Sequence, residues 1–310
     1  MTGGPPGLFD DIPVIGRRSP ADAAKVLREV GEAEVAARLE RLPERTVLSF
    51  GLGGLLDDLF GPRLWSYSTH AFGYIAPHPP GAKAPLPILH AGNLKPDTSL
   101  RGQRVKITLN WLRVADYPGN GMHRILFDFY ARNQTTGSDA DLHFNSTYRV
   151  REGQPAGIIG YPIFIGVNVG DEGLAFRCYT VNVKNDADET FLDFLESDSF
   201  KQGLEITKTV QPAIKPFAEM AYGLTRALAK RNRNVPVQDV AMGLDFSAVA
   251  GRARLAEGAY IAAQIRDSLY SVWDWQDWVY DPSNGSIVAR DDRSAPLPYN
   301  YFVFGISRMT

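Results

Sequence analysis

The chain has 310 residues and a mass of 34.2 kDa, with 44% hydrophobic and 22% charged residues, proportions that are typical of globular proteins and exclude general disorder. Its formal net charge of −2 lacks the basic excess that nucleic-acid-binding proteins use, so nucleic acid is not an expected partner. The single cysteine, Cys178, excludes an intrachain disulfide framework.

Residues 1–61 predict a tail followed by a helical hairpin. The Gly- and Pro-rich start has no secretory-signal pattern, and no stretch of the chain is apolar enough for a membrane helix, so we expect a cytoplasmic protein. An apolar patch that includes Phe9 and Ile12 is expected either to pack on its own domain or to dock a partner. Ser19 followed by Pro20 is a typical helix start, and the apolar spacing after it predicts two short helices.

A glycine-rich stretch at residues 46–58 superficially resembles a strand that runs into a phosphate-binding loop. Leu56 occupies the position of the third glycine in a dinucleotide fingerprint, and no alternation of strands and helices follows. Tight turns or close packing are therefore the favoured reason for these glycines.

Residues 62–100 are rich in proline and glycine and predict a long connection. They contain three of the five histidines, His70, His78 and His90. The spacings between them match no recurring zinc pattern, and no cysteine lies nearby. Histidines without a metal role are therefore expected here.

Residues 101–310 predict a β-sandwich. Apolar residues alternate with polar ones in five segments, a pattern typical of half-buried strands: Val105–Trp111, Ile125–Ala131, Leu142–Val150, Ile163–Val169 and Leu174–Val183. Helical spacing then predicts an inserted long helix within residues 191–233. Three further stretches return to the strand pattern: Tyr260–Ile265, the hairpin around Asp281–Gly285 and Phe302–Ile306. The expected fold is mainly β with α additions, an antiparallel sandwich with an inserted helix and an N-terminal helical hairpin.

An acidic loop follows the fifth of these strands. Asp186, Asp188 and Asp193 are spaced as in the third calcium-binding loop of C2 domains, which this segment resembles, and Asp116 occupies a place that fits the family's other acidic loop. The resemblance implies a Ca²⁺ site at these four residues and contact with membrane lipid. A long helix follows where C2 domains have a short connection, and a solvated turn in which Asp193 caps that helix is the alternative.

The tryptophan-rich segment is the second candidate surface. Trp273 and Trp275 alternate with polar residues, so they are expected either to form a platform for a ligand or to fill a core. A ligand platform requires two exposed, coplanar indoles. Together with Phe9 and Ile12, these tryptophans form the predicted partner surface.

Nucleophilic catalysis has little support in the sequence. No Gly-x-Ser-x-Gly motif is present, and the strand phases place Cys178 and His143 on opposite faces of a sheet. We therefore expect a non-enzymatic binding or assembly module that contacts a protein partner, with membrane lipid, Ca²⁺ and a second copy of the chain as further candidates. The alternative is a hydrolase whose site lies between the Pro-rich connection and the tryptophan-rich segment.

Overall fold

The computed structural model describes residues 8–42, 51–79, 81–135, 138–156, 158, 160–188, 192–193, 195, 215–247 and 252–309. Four α-helices have defined bounds in these ranges: α1 (Pro20–Glu29), α2 (Ala33–Leu39), α3 (Gly51–Phe60) and α4 (Lys215–Ala229). Among the described helices, none has the length and apolar character needed to cross a membrane. The start of the glycine-rich stretch, residues 46–50, and the predicted helical residues 196–214 lie outside the described ranges.

Fourteen strands lie within the described part of the chain: β1 (Thr69–Ile75), β2 (Leu86–Pro87), β3 (Leu89–His90), β4 (Arg104–Arg113), β5 (Met122–Thr135), β6 (Ser138–Arg151), β7 (Tyr161–Asn168), β8 (Gly173–Val183), β9 (Asn234–Asp245), β10 (Ala253–Arg254), β11 (Gly258–Ile265), β12 (Trp278–Asp281), β13 (Ser286–Ala289) and β14 (Asn300–Arg308). They form a six-stranded sheet in the order β3-β1-β11-β14-β4-β7, a five-stranded sheet in the order β10-β9-β8-β5-β6, and a three-stranded sheet in the order β13-β12-β2. Every described pair is antiparallel except the short pair β9–β10.

The two large sheets pack face to face, and aromatic side chains fill the space between them. Phe127 and Phe129 are two residues apart on β5, so they point to the same side of the sheet. Their rings lie 5.5 Å and 5.8 Å, centroid to centroid, from Phe302 and Phe304 of β14. This arrangement confirms the predicted fold class, a mainly β sandwich with helical additions.

The three-stranded sheet covers the outer face of the six-stranded sheet. A second core lies between them, and it contains Ile261, Tyr301, Ile287 and the indole of Trp275. The alternating inward residues of β11 and β14 thus face one core, while their neighbours along the same strands face the other. Both strands are therefore buried on both sides.

The outer face of the five-stranded sheet is covered by α4 and by the N-terminal segment. Phe9 stacks on Tyr179 with ring centroids 4.2 Å apart, and the Tyr179 hydroxyl donates a hydrogen bond of 2.6 Å to the carbonyl of Ile12. Phe9 is 1% exposed and Ile12 is 3% exposed. In this structure the N-terminal patch packs on its own domain, the first of the two alternatives, and Phe9 and Ile12 are buried there. The partner surface at these two residues stays a prediction.

The structure differs from the expectation in the predicted connection over residues 62–100. It contains β1, which pairs with β11 along its whole length and with β3 on its other side. The many prolines around β1 give this region a loop-like composition, whereas the residues of the strand itself have ordinary pairing partners. Gly73 also packs where a Cβ would lie within 3.0 Å of Ile88, Trp275 and Ile261, so its role is close packing rather than flexibility.

Candidate functional site

Five chain segments meet at one end of the six-stranded sheet and enclose a cleft of about 610 Å³. The registers of β1 with β11, β11 with β14 and β14 with β4 place the ends of these four strands together. The end of α3 closes one side, where Gly61 has a positive φ of 79° and ends the helix. The cleft is lined by Asp57, Asp58, Pro62, Arg63, Leu64, Tyr67, Asp116, Arg266, Leu269, Pro298 and Tyr299.

One acidic group in the cleft, Asp57, is already neutralised. Its Oδ2 lies 2.8 Å from Nε of Arg266, and its Oδ1 accepts a hydrogen bond of 2.9 Å from the Tyr67 hydroxyl. The Asp57 side chain is only 5% exposed. Burial, followed by this hydrogen bond, raises the pKa of Tyr67, so the hydroxyl stays protonated and the triad joins α3 to the loop after β11.

The second acidic group, Asp116, has fewer partners. Its Oδ2 accepts a hydrogen bond of 2.8 Å from the backbone N–H of Leu64. Asn300 fixes the loop from behind, because its Oδ1 accepts from the backbone N–H groups of Ala115 and Asp116 and its Nδ2 donates to the Asp116 carbonyl. Burial raises the pKa of the Asp116 carboxyl to about 6. This carboxyl is therefore half-buried, rigidly placed and ionised only above mildly acidic pH.

Arg63 lies beside this carboxyl, one residue before the Leu64 amide that binds it. Among the described residues its guanidinium has no ion-pair partner, and its Nε is buried without a hydrogen bond. The positive charge of Arg63 opposes the rise in the pKa of Asp116, but the two groups make no direct ion pair. Arg63 and Asp116 are thus a cation and a carboxylate of the cleft wall that can each bind a further group, while Asp58, another carboxylate of the lining, is exposed.

Apart from the exposed Asp58, the rest of the lining is largely apolar. It includes Leu269, Pro298 and Tyr299, and the ring of Tyr299 packs edge-on against Trp273 with centroids 5.5 Å apart. Just after Leu269 in the chain, Tyr270 is exposed and Val272 is 72% exposed. The cleft mouth therefore combines apolar side chains with the two charges.

The tryptophan-rich segment divides into a buried and a partly exposed part. Trp275 is buried and its Nε1 donates a hydrogen bond of 3.0 Å to the Phe72 carbonyl, so it forms part of the core and offers no ligand surface. Trp273 is partly buried and lies nearly parallel to Trp278, with centroids 6.4 Å apart and an interplanar angle of 7°. Of the two predicted tryptophans, Trp273 is the one that reaches the surface near the cleft.

The acidic loop after β8 is paired with arginines. Asp186 is exposed and lies 3.1 Å from a guanidinium nitrogen of Arg124 and 3.3 Å from one of Arg233. Asp188 is fully buried; it accepts a hydrogen bond of 2.7 Å from Nδ2 of Asn234 and pairs with Arg231. These carboxylates thus tie the loop to the turn between α4 and β9.

The remaining predicted calcium ligands have different surroundings. Asp193 is exposed and lies 3.3 Å from a guanidinium nitrogen of Arg149, whereas Asp116 lines the cleft. Among the described residues, no group of three or more His, Cys, Asp or Glu side chains is arranged to hold a metal ion. The four aspartates therefore do not converge in this structure.

The three histidines of the predicted connection occupy separate environments. His70 is buried on β1, where burial lowers its pKa to about 4. The ring of His78 lies 5.9 Å from that of Tyr280, and Nδ1 of His90 accepts a hydrogen bond from the Gly92 amide. None of the three lines the cleft.

Cys178 and His143 lie on opposite faces of the five-stranded sheet, as the strand phases predict. Cys178 is buried in the main core, and burial raises the pKa of its thiol. His143 lies under α4, where its ring packs against those of Tyr130 and Tyr222. This geometry excludes a Cys–His dyad.

Comparison with known proteins adds no relative: no family model, curated protein or solved structure matches this chain. The resemblance to C2 domains therefore remains a prediction. Of the charged cleft residues, the sequence pointed to Asp116 and missed Asp57, Asp58, Arg63 and Arg266. The signal that was available is the acidic helix end followed by a Gly-Pro-Arg turn at residues 61–63, which places charged side chains at a strand-end loop.

Proposed function

We propose that the protein is a non-enzymatic, cytoplasmic binding module that takes a segment of a protein partner into the cleft at the end of its sandwich. The observation that carries this proposal is the pair Arg63 and Asp116, two charged groups in a concave site that make no ion pair with described residues. Rigid strands support the loops that present them. Binding sites are commonly built in this way, with a few polar groups in a largely apolar pocket.

A polypeptide suits the cleft because it offers both kinds of group that the walls can bind. Its main chain supplies donors and acceptors for the two charges, and its side chains can cover Leu269, Pro298 and Tyr299. The exposed Tyr270 and Val272 extend the apolar surface beyond the cleft mouth. Aromatic and aliphatic side chains at a rim of this kind are typical anchors in protein interfaces.

Selection from a random peptide library displayed on phage tests the proposal. We expect peptides enriched on the wild-type protein to lose binding to Asp116→Asn, which keeps an acceptor for the Leu64 amide but removes the charge. The matched control is Asp171→Asn, because Asp171 is an exposed carboxylate in the turn between β7 and β8, at the opposite end of the sandwich. Peptides that bind both variants as well as the wild type, or no enriched peptide at all, would contradict the proposal.

A hydrolase is the second candidate, and one observation favours it. Pro62, Arg63, Leu64 and Tyr67 of the predicted Pro-rich connection line the cleft. The raised pKa of Asp116, about 6, would let this carboxyl donate a proton to a leaving group near neutral pH. The measurement is hydrolysis of chromogenic esters, glycosides and phosphates by the wild type and by Asp116→Asn. Turnover that Asp116→Asn abolishes would favour the hydrolase over the binding module.

The proposal does not extend to calcium or to membrane lipid. Asp186, Asp188 and Asp193 each pair with an arginine, so a calcium ion would have to displace these contacts before it gained its oxygen ligands. Co-sedimentation with anionic vesicles, with and without Ca²⁺, is the corresponding test. Calcium-dependent sedimentation would reinstate the C2-like function.

A further inference from the structure

One wall of the cleft carries a hydrogen-bond donor, the guanidinium of Arg63, and an acceptor, the carboxylate of Asp116. Their pairing indicates which part of a protein partner binds there. This inference rests on the proposed binding function. The backbone N–H of Leu64 donates to the Asp116 carboxylate at 2.8 Å, and Arg63 immediately precedes Leu64. The guanidinium of Arg63 and the carboxylate of Asp116 therefore start from neighbouring points of the same wall. Both side chains line the cleft.

The lining of the cleft carries three carboxylates, those of Asp57, Asp58 and Asp116, and two guanidinium groups, those of Arg63 and Arg266. Asp57 and Arg266 neutralise each other by direct contact, and Asp58 is exposed. Apart from the exposed Asp58, this leaves the cation of Arg63 and the carboxylate of Asp116 as the charges of the lining that make no ion pair with a described residue. A ligand carboxylate would be attracted by Arg63 and repelled by Asp116, whereas a ligand ammonium would be attracted by Asp116 and repelled by Arg63. A neutral group that offers an acceptor and a donor side by side satisfies both without a repulsive contact.

We infer that Arg63 and Asp116 together bind the main chain of one extended residue of the partner. The guanidinium donates to the carbonyl oxygen of that residue, and the carboxylate accepts from its N–H. In an extended chain these two groups of one residue point to the same side, which is how antiparallel strands exchange paired hydrogen bonds. The side chains of the bound segment then lie against Leu269, Pro298 and Tyr299.

Three leucine derivatives separate this inference from its alternatives. N-acetyl-leucine N-methylamide presents both main-chain groups and no charge, N-acetyl-leucine replaces the carbonyl amide with a carboxylate, and leucine N-methylamide replaces the N–H amide with an ammonium. We expect the neutral compound to bind about tenfold more tightly than either charged one at a pH above the pKa of Asp116, because repulsion from one group offsets the ion pair of a charged analogue with the other, and its charge must also lose hydration. The readout is titration of protein labelled with ¹⁵N-leucine, in which Leu64 and Leu269 report on the cleft.

Variants locate the effect. Arg63→Gln and Asp116→Asn should each weaken binding of the neutral compound by about fivefold or more, since each removes one charge-assisted hydrogen bond. Lys95→Gln and Asp171→Asn remove the same charges from exposed positions at the opposite end of the sandwich and should leave the affinity within about twofold. A wild-type circular dichroism spectrum and a cooperative thermal transition in each of the four variants serve as the folding control.

The possible outcomes distinguish two claims: that the cleft is a binding site, and that Arg63 and Asp116 bind the main chain of the partner. If the carboxylate or the ammonium compound binds best at Leu64 and Leu269, the cleft is a binding site but the main-chain assignment is wrong. If no compound shifts the signals of Leu64 and Leu269 and the library peptides bind elsewhere, the cleft is not the binding site. The assignment of Arg63 and Asp116 to the partner's main chain is then wrong as well. Preference for the neutral compound, lost in both cleft variants and kept in both controls, supports the inference.

Discussion

The outer face of the five-stranded sheet and the cleft at the end of the six-stranded sheet both hold buried charged groups, but they differ in how these groups are satisfied. On the sheet face, Arg177 makes two hydrogen bonds of 2.7 and 2.9 Å to Asp239 and a third to Asp10. In the cleft, Arg63 has no such partner among the described residues, and Asp116 has a single backbone donor to its carboxylate.

The same contrast applies to the groups under α4. The Thr225 hydroxyl donates to Asp128 at 2.7 Å and accepts from Nδ2 of Asn145 at 2.8 Å. This network joins the helix to the sheet and leaves no donor of Thr225 unused. Fully paired groups stabilise the fold, whereas groups that keep unused hydrogen-bonding capacity in a cleft are available to a ligand. The predictions below test whether the two regions differ in this way.

The largest expected effect is on the sheet face. Asp239→Asn leaves the buried guanidinium of Arg177 without its main counter-charge, and we expect the free energy of unfolding to fall by about 3 kcal/mol. Urea denaturation measures it. Glu40→Gln is the control, because Glu40 and Arg28 form an ion pair that is largely exposed on both sides, so its loss should change the free energy of unfolding far less. Equal losses in both variants would show that the buried pair is not a structural element.

Thr225→Val tests the network under α4 with a side chain of similar shape. It removes the donor to Asp128 and the acceptor for Asn145, so we expect a loss of about 2 kcal/mol in the free energy of unfolding. Thr225→Ser keeps the hydroxyl and should lose markedly less. If valine and serine have the same effect, the hydroxyl contributes nothing and the packing of the methyl group accounts for the loss.

The carboxyl of Asp116 in the cleft should differ from these paired groups: when it is ionised, its burial lowers the stability of the folded protein. The pKa of Asp116 is raised from 3.8 to about 6, so the folded protein keeps a proton in this window that the unfolded chain has released. The contribution of Asp116 to stability is therefore highest at low pH, decreases as pH rises through this window and stays lost above it.

Asp116→Asn removes this titration. We expect the difference in unfolding free energy between wild type and variant to change by about 1–3 kcal/mol between about pH 4 and about pH 7, in the direction that favours the variant at the higher pH. Taking the difference cancels the contribution of His70, whose lowered pKa acts with the opposite sign. A difference that does not vary with pH would show that Asp116 is not a strained group.

The smallest expected effect concerns the acidic loop. Asp186, Asp188 and Asp193 are paired with arginines, so we expect millimolar Ca²⁺, compared with EDTA, to shift the melting temperature by less than about 1 °C. Differential scanning fluorimetry measures it. An increase of several degrees in the melting temperature with Ca²⁺ would show that this loop binds calcium and does not serve only to stabilise the fold.

The β-sandwich was predictable from the sequence because its strands repeat a clear local pattern. Residues such as Ile125, Phe127 and Phe129 alternate in phase and all reach the core. Cys178 was placed correctly by the same phase. The local sequence pattern did not predict β1. Residues 69–75 form a strand because they pair with β11, although the composition around them is typical of a loop.

The cleft was only partly predictable because its residues are distant in the chain. Asp116 stood out in a turn after a strand, but Arg63 and Arg266 approach it only when the ends of β1, β4, β11 and β14 meet. The acidic loop illustrates the converse. Its aspartates are close in sequence, yet each faces a different arginine, and no local pattern specifies those partners.

The most direct test of the central claim is where a selected peptide binds. Leu64 and Leu269 line the cleft, while Leu244 and Leu255 lie at the opposite end of the sandwich. In protein labelled with ¹⁵N-leucine, titration of a library-selected peptide should shift the signals of the first pair and leave those of the second pair unchanged. Shifts confined to Leu244 and Leu255, or cleft shifts that persist undiminished in the double variant Arg63→Gln with Asp116→Asn, would contradict the assignment of the cleft as the binding site.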